Sequence, residues 1–471
     1  MAIVGRNREK ALFNKLLESD RSSFVAMYGR RRIGKTYLIR SYFENFTFHY
    51  TGVVDVDTKQ QLERFHKALC EYGKSDTPMP KTWFEAFDYL KEIITQSRKK
   101  KKVVFIDEMP WMNTPRSKFM PALEHFWNHW ASQRTDLIFL VCGSASSWIV
   151  KKLFNSKGGL HNRVTHKIHL KPFTLAETEE FFEHRKFVLS QYQIVKAYMV
   201  FGGVPFYLEQ MDREKSIDQN IDNLLFNKDG ALVNEFSNLY EALYTNPQNY
   251  IEIIKALSTK NKGLSRYELL DMLHLKSGGT LSTLLEDLEL SGFIRKYHAI
   301  GKKQRDVLYQ LTDVYSLFYF NFLTKKPLAA NDWLNSLDSP KIRTWSGYAF
   351  EMVCLQHTDQ IKQALGISGI QTHVYAWQTH HEKKNIQIDL LIDRKDQTIN
   401  LFEIKYSSET YTITTKYLNE LLEKVALFKH YTKTKKAVHL SMMTTYGLTK
   451  NEHSGMMLND LTMKHLFVGL E

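Results

Sequence analysis

Residues 24–40 read FVAMYGRRRIGKTYLIR. An apolar, strand-like run from Phe24 to Tyr28 ends at Gly29. Arg30, Arg31, Arg32 and Ile33 follow, then Gly34, Lys35 and Thr36, and a helical pattern opens at Tyr37, Leu38 and Ile39. This is G-x-x-x-x-G-K-T with a strand before it and a helix after it, the context that this spacing needs to hold a phosphate. Gly29 and Gly34 let the backbone fold tightly enough for its N–H groups to face the anion. The helix that starts near Lys35 adds its positive end. Lys35 is predicted to reach the β- and γ-phosphates, and the Thr36 hydroxyl to ligate Mg²⁺. Residues 29–37 are thus the predicted phosphate cradle. The plain alternative is a chance Gly- and Lys-rich turn, in which strand, spacing and helix would agree by accident.

Downstream, the basic run Arg98 to Lys102 leads into Val103-Val104-Phe105-Ile106-Asp107-Glu108. Four apolar residues ending in two acids fit a buried parallel strand with its carboxylates at the carboxyl end. Beside a phosphate cradle, Asp107 is placed for the Mg²⁺ shell. Glu108 is placed to polarise an attacking water as general base. Alone, the pair would read as a strand terminus capped by acids. A further apolar strand, Leu137 to Cys142, ends in Gly143-Ser144. A polar side chain there lies beside the γ-phosphate, so Ser144 is a candidate sensor, with a helix N-cap as its alternative. Arg163, before a short strand at Val164 to Leu170, could face a phosphate in its own or a neighbouring subunit, which keeps a homo-oligomer among the expected states.

The 471 residues predict about three domains, at ~150 residues each. No apolar run approaches the ~20 residues that span a bilayer, and MAIVGRNREK has no signal-peptide core. A cytoplasmic, soluble protein with no membrane partner is expected. Cys70, Cys142 and Cys354 are far apart and form no C-x-x-C, so neither a disulfide framework nor a zinc site is predicted. The net charge is +13, of which residues 331–471 hold only +1 (16 Lys/Arg against 15 Asp/Glu). Any non-specific pull toward polyanions therefore comes from the front and middle of the chain. A basic surface with no partner is the ordinary alternative.

In the middle, residues 173–225 alternate helical patterns around FGGVPFYLEQ, a small helical lid. Residues 250–325 give three helices and then SGFIRKYHAIGKKQRDVLYQLTD, which alternates apolar and polar residues around Gly301 as a hairpin does. Three helices and a hairpin make a winged helix. Arg295, Lys296, Lys302, Lys303 and Arg305 on the wing suit phosphate contacts. Glu286, Asp287 and Glu289 on the third helix do not suit a major groove, so non-specific DNA contact and a protein-contact module both stay open.

Near the end, Glu351 lies on an amphipathic helix, SGYAFEMVCLQ. Then come QIDLLID, with Asp389, and NLFEIK, with Glu403 and Lys405, separated by the turn Arg394 to Gln397. Alternation puts Glu403 and Lys405 on one strand face, and Asp389 lies on the hairpin partner. Asp389 and Glu403 are candidate ligands for Mg²⁺. Lys405 would orient or deprotonate the water, and Glu351 would add a ligand from the helix. A metal-dependent phosphodiester-cleaving centre of this kind should be partly open. The alternative is a solvated hairpin with charges two apart.

Taken together, VGRNRE (Gly5, Arg6, Glu9), YGRRRIGKT, VVFIDE, the strand ending in CGS, NRV…LKPF and FGGVP (Gly202 to Pro205) resemble the AAA-related archaeal-type ATPases, relatives of the STAND signalling NTPases. The resemblance covers residues 1–225 and implies ATP rather than GTP. It also implies that Pro205, in the lid, packs near the nucleotide base. STAND proteins generally lack an arginine finger, which puts that role for Arg163 in doubt. The D-x13-E-I-K pattern after a helix with a Glu resembles the PD-(D/E)XK restriction-endonuclease-like superfamily, although Gln387-Ile388 precedes Asp389 where that motif has Pro.

The expectation is therefore an α/β chain. A P-loop AAA-type ATPase core spans 1–170, a helical lid and linker 171–245, a winged helix 246–330 and a nuclease-like domain 331–471. The leading function is ATP hydrolysis, with ATP and Mg²⁺ as cofactors, acting on DNA with Mg²⁺-dependent cleavage. The alternatives are a nucleotide-dependent regulatory switch that cuts nothing and an ATP-driven assembly scaffold.

Overall fold

Strands rich in Val, Ile and Phe, apolar at nearly every position, must be covered on both faces, and the first part of the chain is built that way. The computed structural model describes residues 3–155, 158–160, 162–275, 279–298, 307–324, 328–381 and 384–469. It divides into two units, Met1–Lys171 and Pro172–Leu470.

In the first unit the elements run α1 (Asn7–Glu18), β1 (Ser23–Tyr28), α2 (Lys35–Tyr42), β2 (Phe48–Thr51), α3 (Thr58–Glu71), α4 (Trp83–Gln96), β3 (Lys102–Asp107), α5 (Phe119–His129), β4 (Leu137–Gly143), α6 (Ser146–Ile149) and β5 (His166–His169). The strands form one parallel sheet in the order β2-β3-β4-β1-β5. Along β1, Phe24 and Ala26 enter the core shared with α3, α4 and α5, while Val25 and Met27 enter the core shared with α1 and α2. The alternation of a strand thus serves two apolar layers. All carboxyl ends of the strands lie on one side, where open α/β sheets place their ligands. This is a P-loop ATPase-like core.

The second unit begins with helices α7 (Leu175–His184), α8 (Gln191–Phe201), α9 (Pro205–Glu209), α10 (Ile217–Leu225), α11 (Glu235–Glu241) and α12 (Pro247–Ser258). A three-stranded antiparallel sheet follows, ordered β6-β8-β7 (Leu264–Ser265, Val307–Leu311 and Ile294–His298), with α13 (Arg266–Met272) and α14 (Gly279–Leu290) between its first two strands in sequence. Gly301, Lys302, Lys303 and Arg305 lie outside the described residues. Arg295 is corrected by the structure: its Nε donates to Gln310 Oε1 at 2.6 Å and its guanidinium lies 4.8 Å from the Tyr297 ring centroid, so packing engages it rather than a phosphate.

After α15 (Val314–Phe318), α16 (Pro340–Gln356) and α17 (Thr358–Ala364) comes a mixed sheet ordered β13-β12-β11-β10-β9. Its strands are β9 (Thr372–His381), β10 (Lys384–Arg394), β11 (Thr398–Lys405), β12 (Ala437–Thr444) and β13 (Asn459–Thr462), with α18 (Thr415–Thr432) between β11 and β12. One face (Leu390, Ile392, Phe402, Ile404) joins the main helical core with Phe350 and Val353 of α16. The other (Ile388, Leu391, Ile399, Leu401) packs on Leu421 and Phe428 of α18.

The FGGVP stretch shows how local sequence sets one of these turns. Ser190 and Gln193 form a capping box at the start of α8, and Gly202, in the left-handed region at φ 65°, ends the helix. Gly203 follows at φ 64°, and a Cβ there would come 2.3 Å from the Phe173 carbonyl oxygen. Pro205 then opens α9, where its missing N–H costs nothing. Gly203→Ala is expected to lower stability by roughly 1–3 kcal/mol from backbone strain and overlap. Gly366→Ala, at φ 69° with nothing within 4 Å of its Cβ, should cost less. Urea unfolding of both variants measures the difference; equal losses would refute the close-approach account.

Candidate functional site

The loop from Gly29 to Lys35 connects β1 to α2. Gly29 has φ 144°, and a Cβ there would lie 2.2 Å from the Leu170 carbonyl oxygen; Gly34 has φ 84°. Lys35 is buried, and its ammonium donates to the Gly29 and Arg30 carbonyls, each at 2.9 Å, and to Ser144 Oγ at 3.2 Å. Burial pulls its pKa below the ordinary lysine value, against the opposing pull of Cys142, Glu108 and Asp107. Arg30 and Ile33 are buried, whereas Arg31 and Tyr37 face outward and Arg32 is half-buried. From the residue just before α1, the Arg6 guanidinium donates to the Ile33 carbonyl at 3.2 Å and the Lys171 carbonyl at 2.8 Å, tying the loop down.

The acids arrive from β3, two strands away from β1 with β4 between. The Thr36 hydroxyl donates to Asp107 Oδ2 at 2.8 Å. Asp107 Oδ1 accepts the Glu108 N–H at 2.9 Å and the Cys142 thiol at 2.6 Å. Glu108 sits in the left-handed region at φ 46°. Its Oε1 accepts the Ser144 hydroxyl at 2.7 Å, and its Oε2 the Ser144 N–H at 3.0 Å. Ser144, at the end of β4, therefore touches both the cradle lysine and the second acid. The pair of hard oxygens from Thr36 and Asp107 suits Mg²⁺. Arg163 is exposed in a turn before β5.

In the second unit the four predicted polar residues fall into two groups. Glu403 Oε1 accepts from Lys405 Nζ and from the Tyr417 hydroxyl, each at 2.8 Å, and its Oε2 from Lys424 Nζ at 2.7 Å. Asp389 stands at a bulge, where β10 shifts register against β9 between Ile388 and Leu391. Its Oδ2 accepts the Ile404 N–H at 3.0 Å. Its Oδ1 lies 3.4 Å from Lys262 Nζ, and the same ammonium lies 3.2 Å from Glu351 Oε2. Burial and the neighbouring Asp389 raise the pKa of Glu351. Burial works against the Glu403 charge, but Lys405 and Lys424 hold its pKa below the usual value.

The expectation of a partly open centre is corrected. The Asp389 and Glu403 side chains are only 7% and 4% exposed, and lysines already face them. Among the described residues, no three His, Cys, Asp or Glu gather as a metal-holding group.

Sequence reasoning missed several of these residues. Arg6 was noted only as part of a motif. Tyr417 and Lys424 follow the spacing of Leu421 and Phe428, so they are polar residues on the apolar stripe of a helix, which is a readable signal. Cys142 looked like an ordinary core residue, and nothing in the sequence ties Lys262 to Asp389, 127 residues away.

The fold and site together define a P-loop ATPase-like class. Residues 4–211 match the family described as an ATPase domain predominantly from Archaea, which brings nucleotide binding with it. An uncharacterized protein of Methanocaldococcus jannaschii, MJECL04, is 26% identical over 358 residues, covering 74% of this chain and 76% of the relative. Among solved structures, a Walker-type ATPase of Pyrococcus abyssi is 15% identical with a TM-score of 0.49, over 68% of this chain and 96% of that one. The ORC2 protein of Aeropyrum pernix is 15% identical with a TM-score of 0.38, over 75% of this chain and 96% of that one.

Because Arg6 satisfies a carbonyl of the cradle itself, Arg6→Ala is expected to destabilise the first unit by about 1–3 kcal/mol. Arg6→Lys should restore little, since an ammonium cannot reproduce a planar two-armed donor. Thermal unfolding with and without nucleotide measures this, and full rescue by lysine would overturn it.

Proposed function

We propose that the chain is an ATP-hydrolysing AAA/STAND-like protein that acts on DNA. The proposal divides it into the ATPase core at 1–170, a helical lid and linker at 171–245, a winged helix at 246–330 and a PD-(D/E)XK nuclease-like domain at 331–471. The observation that carries the ATPase half is the convergence of Lys35 and Glu108 on Ser144, with Thr36 hydrogen-bonded to Asp107 alongside.

Each residue then has a role. The Lys35 ammonium exchanges its loop carbonyls for β- and γ-phosphate oxygens. Thr36 and Asp107 would hold Mg²⁺, which would neutralise charge on the phosphates when bound. Glu108 orients and polarises the attacking water, and Ser144 relays the state of the γ-phosphate to that carboxylate. The resemblance of FGGVP to the G-x-P element is what supports a nucleotide-base role for Pro205. The cytoplasm is the proposed compartment; among the described residues no helix is long and apolar enough to cross a membrane.

The DNA half rests on the three-stranded sheet with its helices, and on the positive charge of the front and middle of the chain. Cleavage rests on Asp389, Glu403 and Lys405, with Glu351 from α16. These are hard oxygens with an ammonium beside them, the groups that metal-assisted phosphodiester cleavage uses. A nucleotide-dependent switch that cuts nothing is the second reading. It is favoured by one observation: Glu351, Asp389 and Glu403 are matched by Lys262, Lys405 and Lys424 without any metal. Mg²⁺-dependent nicking of plasmid DNA that vanishes in Lys405→Ala would eliminate that second reading.

Lys35→Ala should abolish ATP binding. Glu108→Gln should keep it and lower turnover by about 10²–10⁴-fold, as expected for loss of a general base. Equilibrium nucleotide binding and phosphate release measure the two, and normal turnover in Glu108→Gln would remove its assigned role. Neutralising Lys302, Lys303 and Arg305 together should weaken DNA binding and flatten its salt dependence, each lost phosphate contact taking roughly 0.9 off the log–log slope. An unchanged slope means that this segment makes no phosphate contact.

A further inference from the structure

Resting on the nuclease-like reading of Asp389, Glu351 and Glu403, we propose that Lys262 is a built-in plug whose ammonium holds the cation position of this centre, so that a divalent metal enters only when Lys262 leaves. Lys262 belongs to the turn between α12 and β6, far in sequence from the sheet that it enters. Its side chain is 7% exposed, and its Nζ lies between Glu351 Oε2 at 3.2 Å and Asp389 Oδ1 at 3.4 Å. These are the two carboxylates that a metal would use. The third, Glu403, has both oxygens engaged by Lys405, Tyr417 and Lys424.

Charge makes the same point. Three acidic side chains face three lysines, so the cluster carries no net negative charge as it stands, the less so because burial and Asp389 push the Glu351 pKa up to about 7. A divalent ion entering beside all three lysines would leave at least two excess positive charges in a poorly solvated place, which is strongly unfavourable. Replacing the Lys262 ammonium with the metal lowers that excess by one charge. It also frees an oxygen each on Asp389 and Glu351 for the ~2.0–2.1 Å bonds that Mg²⁺ requires.

The lysine is also held from behind. The Asn261 carbonyl accepts from the Tyr348 hydroxyl on α16 at 2.8 Å and from Gln310 Nε2 on β8 at 2.6 Å. The Lys262 carbonyl accepts from the Tyr297 hydroxyl on β7. Gly263 follows at φ 80°, where a Cβ would lie 2.1 Å from the Tyr309 carbonyl oxygen. The turn is thus fixed between the β7–β8 hairpin and α16, and its ammonium is delivered into the centre rather than resting there as a loose surface lysine.

The test is Mn²⁺ binding to the full-length chain without nucleotide, read from the free Mn²⁺ signal by electron paramagnetic resonance. Wild type, Lys262→Met, Lys262→Arg and the Lys262→Met/Asp389→Asn double variant are compared. Lys262→Met keeps the apolar stem and removes the charge. It should gain a Mn²⁺ site at least about tenfold tighter than wild type has, a difference of ~1.4 kcal/mol. Lys262→Arg should stay like wild type, and the double variant should lose the new site. Melting provides a second readout that survives a loss of stability: Mn²⁺ should raise the melting temperature of Lys262→Met and not that of wild type. If wild type already binds Mn²⁺ through Asp389 as tightly as Lys262→Met, the plug is refuted while the metal-dependent nuclease reading survives. If no variant shows an Asp389-dependent site, the plug and that reading fall together.

Discussion

A carboxylate buried at the end of a strand is costly unless donors reach it inside the protein. Asp107 is such a group, and its donors come from three places: the Thr36 hydroxyl at the start of α2, the backbone of Glu108 and the thiol of Cys142 on β4. Meeting that demand pins the phosphate cradle to the acid strand across an intervening strand. Ser144 ends that intervening strand, so it stands between Lys35 and Glu108. The spacing of the proposed hydrolytic groups is therefore a consequence of strand order, and the satisfied carboxylate ties the loop after β1 to the end of β3 within that order.

The second unit meets the same demand by another route. Asp389 and Glu403 are as buried as Asp107, but they face ammonium groups rather than mostly neutral donors. The lysines come from three elements: Lys405 from β11 itself, Lys424 from α18 and Lys262 from the turn before β6. Each arrival fixes the position of an element, so the polar cluster acts as a register mark within an otherwise apolar assembly. Loss of Lys262 leaves Asp389 and Glu351 without their ammonium, which is costlier than the pairing is stabilising, whereas Glu403 keeps a second lysine if either Lys405 or Lys424 is lost.

How much of this the sequence disclosed follows the range of each interaction. The phosphate cradle was legible because its parts lie within a dozen residues and the flanking strand and helix are strongly patterned. Asp107 and Glu108 were legible as acids at the end of an apolar run. Glu403 and Lys405 were paired correctly because alternation on one strand is local. What local pattern could not show was which strand intervenes between β1 and β3, that a bulge turns Asp389 toward α16, or that Arg295 is held by Gln310 and Tyr297. Each depends on a partner distant in sequence. The expectation of an open centre failed for the same reason, since Lys262 closes it from another part of the chain.

The identity of the residue at 262 carries a last argument. A lysine buried between two acids is a poor means of stabilising a fold, because removing both charge types from water costs about as much as their attraction returns. The surroundings offer an apolar alternative: the turn carrying Lys262 packs on Tyr297 and Tyr348, and a Met or Leu at 262 facing neutral partners would seal the same gap. The pairing instead keeps two acids, Glu351 and Asp389, in a place that would otherwise expel them. Acids buried at such cost serve chemistry or recognition better than packing, and a cation delivered on a separate turn is the form of neutralisation that can be withdrawn. The arrangement is a closed state of a polar centre, and its closure depends on one side chain.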